Sequence, residues 1–153
     1  MSWIVRLAES AEDRLASWTV REQVFVREQG IDESLERDDL DELAWHFVAW
    51  VDAAAVGTAR VFGLDAEHRP VRPTSARVAK IGRMAVLPYK RRLGIGRTLL
   101  DAAIEHARLH DVVRAELSAQ EYVVPFYEQA GFRVEGDVYL EAGIAHRHMV
   151  RRL

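Results

Sequence analysis

The chain has 153 residues, of which 49% are hydrophobic and 29% are charged, and its formal net charge is −3. These values are typical of one globular domain, spanning residues 1–153, with enough apolar residues for a substantial core. No apolar run approaches the roughly 20 residues that a membrane helix needs, so we expect a soluble, cytoplasmic protein. The chain has no cysteine, which excludes disulfides, thiolate metal sites and a cysteine nucleophile.

The N-terminal part predicts a strand, a helix and an acidic segment, in that order. Alternation predicts the strand Trp3 to Leu7, and Ser10 has the character of an N-cap for a helix that reaches about Arg27. Between Asp32 and Glu42 there are seven acids and one base. This acidic run is either a solvated surface or a segment that attracts a cationic substrate.

The rest of the chain alternates between strand and helix patterns. With the first strand, the pattern predicts seven strands, over residues 3–7, 44–51, 56–64, 76–87, 112–119, 132–140 and 145–153. Apolar residues at helical spacing predict a helix from Gly96 to His110, and a short helix over 123–131 ends at Gly131. No repeat, linker or low-complexity segment is visible, which agrees with a single domain.

A long basic stretch precedes the second helix. From His68 to Leu100 the chain has nine bases and no acid, and the stretch includes "RRLGIGRT" where a strand gives way to a helix. A helix N terminus presents unpaired N–H groups and a positive dipole end, so this turn is suited to a phosphate. We expect Arg91, Arg92 and Arg97 to neutralise it and Thr98 to donate a hydroxyl. The segment lacks the lysine of a P-loop and the third glycine of a dinucleotide fingerprint.

Two motifs resemble one enzyme family. The pattern R-x-x-G-x-G, here Arg91, Gly94 and Gly96, is similar to the coenzyme A loop of the GNAT family of N-acetyltransferases. The pattern F-Y-x-x-x-G-F follows about 30 residues later, at 126–132, as it does in that family. The segments "VFVREQGIDESLERDDLDELAWHFVA" and "YLEAGIAHRHM" resemble the ElaA and YjcF-like branch, and they are also faintly similar to acyl-homoserine-lactone synthases.

The resemblance implies a fold and a coenzyme site. The fold is α/β (α+β), a GNAT domain with a central, mixed, mostly antiparallel sheet of about seven strands, flanked by helices and splayed at the strand that binds acetyl-CoA. The pantetheine arm would pair with that strand and the pyrophosphate would lie on the loop. The implied coenzyme-binding residues are Met84, Ala85, Val86, Arg91, Arg92, Leu93, Gly94, Ile95, Gly96, Arg97 and Thr98.

The catalytic residues are less completely implied. Tyr127 corresponds to the tyrosine that lies near the coenzyme sulfur in the family, and a phenol can protonate the leaving thiolate. Histone-acetylating relatives carry a glutamate as base where this chain has Lys80. Ordered water is one substitute. Candidate bases or acceptor contacts are Glu28, Gln29, Glu33, His46, Glu141 and His146.

These residues predict an N-acetyltransferase that moves an acetyl group from acetyl-CoA to a primary amine of a small molecule or peptide, by direct attack in a ternary complex. The alternatives are a coenzyme A sensor without turnover and an acyltransferase related to acyl-homoserine-lactone synthases. No metal is expected, because His146 and His148 form only one isolated H-x-H pair. We expect neither nucleic acid nor membrane as a partner, and a homodimer is compatible with the resemblance.

Overall fold

The computed structural model describes residues 2–153, which form one eight-stranded sheet with helices on both faces. The order across the sheet is β1-β2-β3-β5-β6-β8-β7, and the short β4 pairs with β3. Every pairing is antiparallel except that of β5 with β6. The strands are β1 Ile4–Leu7, β2 Trp45–Val51, β3 Ala54–Leu64, β4 Pro70–Val71, β5 Val78–Val86, β6 Arg114–Gln120, β7 Arg133–Glu141 and β8 Ile144–Arg152.

The helices follow their sequence signals. They are α1 Ala11–Arg21, α2 Glu33–Glu36, α3 Ile95–Leu109 and α4 Val124–Gln129. The Ser10 hydroxyl accepts a hydrogen bond from the Asp13 backbone N–H at 3.0 Å, so it caps α1 as predicted. None of the helices in residues 2–153 is long and apolar enough to cross a membrane.

Helices α1 and α3 pack on opposite faces of the central strands. On the α1 face, the Ser17 hydroxyl lies 2.6 Å from that of Thr58 in β3. On the other face, a Cβ added to Gly57 would come within 2.9 Å of Leu99 Cδ1, so glycine allows α3 to approach β3 closely. The predicted apolar stripe of α3 is fully buried, at Leu99, Leu100, Ala103, Ile104 and Ala107.

Three local features differ from the prediction. The first helix does not stay α-helical to Arg27, because it continues after Arg21 as a π-helical segment, Glu22–Glu28. An eighth strand, β4, lies in the loop that we expected to be irregular. The acidic run is structured, with α2 followed by a 3₁₀ turn at Asp39–Glu42, and Asp32 and Asp38 cap these two turns with their carboxylates.

Candidate active site

The parallel pair at the centre of the sheet separates after four rungs. Paired residues run from Val78 opposite Arg114 to Ile81 opposite Leu117. Beyond this point β5 is paired only with β3, and β6 only with β8, among the residues that the structure describes. The predicted splay is therefore confirmed, and it leaves a gap between β5 and β6 in which backbone groups of both strands lack a strand partner.

A bulge shapes the β5 side of the gap. Arg60 pairs with Gly82 and Thr58 pairs with Ala85, so Arg83 and Met84 together face one residue of β3. Arg83 adopts a φ of 49°, an unusual conformation for a side-chain-bearing residue. A bulge turns backbone groups out of the regular ladder. Met84 is part of this bulge, and Ala85 and Val86 follow it in β5. The predicted contact residues therefore form the part of β5 that borders the gap, which we call the β5 lip.

The N terminus of α3 opens beside the end of β5. Gly94 is its N-cap with a φ of 101°, a conformation that favours glycine, and no side chain caps the helix. A Cβ on Gly96 would lie 3.8 Å from Val86 Cγ2 and 3.5 Å from Phe126 Cζ of α4. The first turn contains no acid. Its free N–H groups and positive dipole end therefore suit the phosphate that the sequence predicts, although Ile95 can contribute only its backbone because its side chain is buried.

Arg91, the first residue of the loop motif, makes three hydrogen bonds within the protein. Its Nε donates to the Val86 carbonyl at 2.8 Å, and its two terminal nitrogens donate to the Glu28 carboxylate at 2.7 and 2.6 Å. The Arg91 bonds, against a smaller burial penalty, lower the pKa of the Glu28 carboxyl. Arg92 and Leu93 are exposed on the loop, as Arg91 is. Arg91 thus ties the loop to the helix that ends at Glu28.

The two remaining polar residues of the motif also have protein partners. Arg97 donates from Nε to Asp101 at 3.0 Å, one turn along α3. The Thr98 hydroxyl donates to the Gly94 carbonyl at 3.0 Å and accepts from Trp3 Nε1 at 3.1 Å. The proton of Thr98 is therefore committed to the helix backbone, while Arg97 remains half exposed beside the helix N terminus.

Tyr127 lies in α4, which follows β6 and flanks the α3 N terminus. Its ring is buried, with an exposed fraction of 8%, and packs edge-on against Phe126 and Phe132 at centroid distances of 5.0 and 6.0 Å. Burial raises the pKa of the Tyr127 phenol above its ordinary value. The group therefore keeps its proton at neutral pH, as a proton donor requires.

The end of the π-helical segment bridges the two sides of the gap. Glu28 holds Arg91, just past β5. The next residue, Gln29, exchanges two amide hydrogen bonds with Gln120, the last residue of β6, at 3.3 and 2.9 Å. π-Helical turns are common at functional sites. Glu28 and Gln29, two of the predicted acceptor residues, therefore span the gap on the side of the sheet that α1 covers.

On the face of the sheet that α1 covers, strands β6, β8 and β7 form the surface next to the gap, which we call the floor. Gln120 lies opposite His146, and the Tyr139 hydroxyl donates to the Ser118 hydroxyl at 2.5 Å. His146 is buried, with Nδ1 2.7 Å from the Ile144 carbonyl and Nε2 3.4 Å from Glu141. The structure therefore brings the predicted His146 and Glu141 to the floor.

Sequence analysis missed Ser118, Gln120 and Tyr139 on this floor. The two-residue alternation of β6 places Ser118 and Gln120 on one face, and that signal could have identified them.

Two other predicted acceptor residues lie elsewhere. Glu33 begins α2 and is exposed. His46 is buried in β2 and faces a cleft of about 450 Å³ that Trp18 and Arg37 also line. Burial lowers the pKa of His46, and its Nε2 lies 2.8 Å from the Asp41 carbonyl, so it links β2 to the 3₁₀ turn.

The acidic run belongs to a closed ring of alternating charges under α1. Neighbours in the ring approach to N–O distances of 2.6 to 3.3 Å. Its members, in order, are Arg21, Glu36, Arg83, Asp38, Arg60 and Asp41. Three guanidinium groups balance three carboxylates of the acidic run here, so these three carboxylates are not free to attract a cationic acceptor. The other four acids of the run, Asp32, Glu33, Asp39 and Glu42, lie outside the ring. Because Arg83 is a bulge residue of β5, the ring also fixes that strand.

In residues 2–153 no group of three or more histidine or acidic side chains is arranged to hold a metal ion.

A parallel strand pair that separates beside a helix N terminus without a side-chain cap is typical of acyl-CoA N-acyltransferases. The family model described as an acetyltransferase (GNAT) domain matches residues 8–153, and the chain belongs to this family.

Individual relatives agree with this assignment. The N-acetyltransferase YjcF of Bacillus subtilis is 30% identical over 146 residues, covering 95% of this chain and 96% of YjcF. An acyl-CoA N-acyltransferase from Pseudomonas aeruginosa superposes with a TM-score of 0.80 at 28% identity, with 99% of both chains covered. Escherichia coli ElaA gives a TM-score of 0.74 at 25% identity over 98% of both chains. The predicted branch is therefore confirmed.

The synthase LasI, which makes acyl-homoserine lactones, shares the fold, with a TM-score of 0.73 at 18% identity over 99% of this chain and 90% of LasI.

Proposed function

We propose that the protein transfers an acetyl group from acetyl-CoA to the primary amine of a small molecule or peptide, by direct attack in a ternary complex. The observation that carries this proposal is the position of the gap. It opens between β5 and β6 directly beside the uncapped N terminus of α3, with Tyr127 buried in the neighbouring α4.

The coenzyme would lie with its pyrophosphate on the α3 N terminus and its pantetheine arm in the gap. The free N–H groups of residues 95–97, with Arg92 and Arg97 nearby, supply positive potential for the phosphates. The β5 lip from Met84 to Val86 supplies backbone groups for the arm. A bulge N–H on this lip would polarise the thioester carbonyl, as preorganised donors do in acyl transfer.

The amine would reach the thioester from the face that α1 covers, past Gln29 and Gln120. Positioning of the two substrates in one gap supplies much of the rate, because it removes the entropic cost of a two-body collision. The amine nitrogen forms a bond to the carbonyl carbon while the carbon–sulfur bond breaks. Tyr127 gives its proton to the departing sulfur.

The test is thiol release from acetyl-CoA in the presence of a panel of primary amines, with mass spectrometry of the amine. We expect thiol and acetylated amine in equal amounts. Calorimetric binding of coenzyme A with no thiol release by any amine would instead identify a sensor. Failure to bind coenzyme A at all would contradict the site itself.

A further inference from the structure

We propose that His148, oriented by Glu116, is the base that takes a proton from the acceptor's ammonium group. This inference rests on the proposed function and names a catalytic residue for it. None of the candidates from the sequence included this pair. It lies on the floor of the gap, where the sheet opens.

Strand register places His148 beside the gap. The last rung that joins β5 to β6 is Ile81 with Leu117, so Ser118 is the first residue of β6 beyond it. His148 lies opposite Ser118 on β8. Opposed residues of antiparallel strands have Cα atoms about 5 Å apart and side chains on one face. The His148 side chain therefore shares the face of Ser118 and Gln120, which Gln29 covers.

Glu116 orients this imidazole. Its side chain is buried, with an exposed fraction of 3%, and its Oε1 lies 3.4 Å from His148 Nε2. Its other oxygen accepts from Arg114 Nε at 3.0 Å, which fixes the carboxylate. A carboxylate facing Nε2 favours the tautomer with the proton on that nitrogen and leaves the lone pair on Nδ1. No hydrogen bond to His148 Nδ1 comes from residues 2–153, and the side chain is 31% exposed.

The pair of Glu116 and His148 also offers a replacement for the glutamate base, whose position Lys80 occupies in this chain. Lys80 is the residue of β5 directly opposite Glu116 in the parallel register. Relatives of the family that carry a glutamate as base have it at the position of Lys80. In this chain a carboxylate, Glu116, lies on the next strand, β6, and the imidazole of His148 lies beside it on β8.

The proton balance of the step is complete. The ammonium gives one proton to His148 Nδ1 and becomes a free amine. The amine nitrogen bonds to the carbonyl carbon, the carbon–sulfur bond breaks, and Tyr127 protonates the sulfur. The nitrogen then loses a second proton, which restores Tyr127 through solvent. The products are amide, thiol and one proton that His148 releases.

Several charged or titratable groups surround the pair. They are Arg114, His68, Lys80, Glu135, His146 and Tyr139. His68 is the matched control, because its Nε2 lies 3.1 Å from the same Glu116 oxygen but its side chain projects from a loop and is 65% exposed.

The kinetic test compares His148→Gln with His68→Asn, using acetyl-CoA and either ethylamine or the much less basic 2,2,2-trifluoroethylamine. With ethylamine at neutral pH we expect His148→Gln to lose about 10²-fold or more in kcat/KM, the usual contribution of a positioned base. The loss should shrink as pH rises, because the amine then arrives neutral. With trifluoroethylamine it should be small, and His68→Asn should behave as wild type.

Glu116→Gln tests the positioning role. If Glu116 positions the imidazole, Glu116→Gln should lower kcat/KM for ethylamine and change that for trifluoroethylamine little, as His148→Gln does. A merely structural carboxylate would lower kcat/KM for both amines alike. Nitrogen-15 NMR of His148 supplies a readout that needs no turnover, and we expect the proton on Nε2.

The outcomes separate the two proposals. An active wild type with a fully active His148→Gln, an equal loss with both amines at every pH, or a proton on Nδ1 overturns the role of His148 alone. A wild type that binds coenzyme A and releases no thiol with any amine overturns the proposed function and this role with it. Unchanged coenzyme A affinity and melting temperature show that the variants are folded.

Discussion

Replacing Asp41 with asparagine should destabilise the protein strongly, because Asp41 closes the ring of charges under α1. Its carboxylate accepts hydrogen bonds from Arg21 at 2.7 and 3.2 Å and from Arg60 at 3.0 Å. The Arg21 side chain is fully buried and the Asp41 side chain nearly so. Asparagine keeps the shape of the side chain, removes its charge and replaces one of the two acceptor oxygens with an NH2 donor.

The magnitude follows from the pKa of Asp41. Burial raises this pKa, but the hydrogen bonds and charges of Arg21 and Arg60 outweigh burial and lower it from 3.8 to about 2. That depression corresponds to about 2 kcal/mol of stability. Removing one partner of a buried ion pair typically costs about 3–5 kcal/mol. We therefore expect Asp41→Asn to lower the free energy of unfolding by about 2–4 kcal/mol at pH 7.

The pH dependence has a definite sign. A carboxyl with a depressed pKa stabilises the folded state above the unfolded pKa, and this contribution is lost as pH falls through the folded pKa. The difference between wild type and Asp41→Asn should therefore shrink between pH 4 and about pH 2. Urea unfolding followed by circular dichroism measures it, with Asp39→Asn, exposed in the same turn, as the control. Equal and small effects of both substitutions would refute the reasoning.

Three further predictions concern the coenzyme site. Tyr127→Phe should lower kcat by about 10² to 10⁴ with little change in coenzyme affinity, whereas Tyr89→Phe on the exposed loop should not. Because burial raises the pKa of Tyr127, wild-type kcat should show no loss from phenol ionisation up to about pH 10. Gly96→Asp should abolish the rise in melting temperature with coenzyme A, while Gly96→Ala should keep it, since its Cβ would make only ordinary contacts. Gly94→Ala should destabilise the protein by about 1–2 kcal/mol in thermal unfolding, because of its left-handed backbone.

Much of the fold could be predicted because its signals are local. Ser10 caps α1 as expected, and the apolar stripe of α3 is buried. The π-helical segment could not be predicted, because its apolar residues Val24 and Phe25 fit an α-helical pattern equally well. Strand β4 has two residues, too few to show any period.

The proposed coenzyme half of the site could be predicted because its residues form one continuous motif. The basic stretch, however, misled the analysis about local charge. Arg69, Arg83, Arg91 and Arg97 each pair with a carboxylate, and those of Arg83 and Arg91 come from the first 38 residues of the chain. The absence of acids within the segment therefore overstates its free positive charge.

The acceptor half was harder to predict because strand register assembles it. Gln29, Gln120 and His146 meet only because β6 pairs with β8 and the π-helical segment ends above them. The pairing of Glu116 with His148 likewise depends on that register. Composition and periodicity do not determine which distant strands become neighbours.

The structure of the acetyl-CoA complex tests the central claim most directly. The account predicts the pyrophosphate on the N–H groups of residues 95–97, the pantetheine arm along Met84 to Val86, and the thioester sulfur within hydrogen-bond reach of the Tyr127 hydroxyl. Coenzyme bound outside the gap between β5 and β6, or a sulfur beyond the reach of Tyr127, would contradict it.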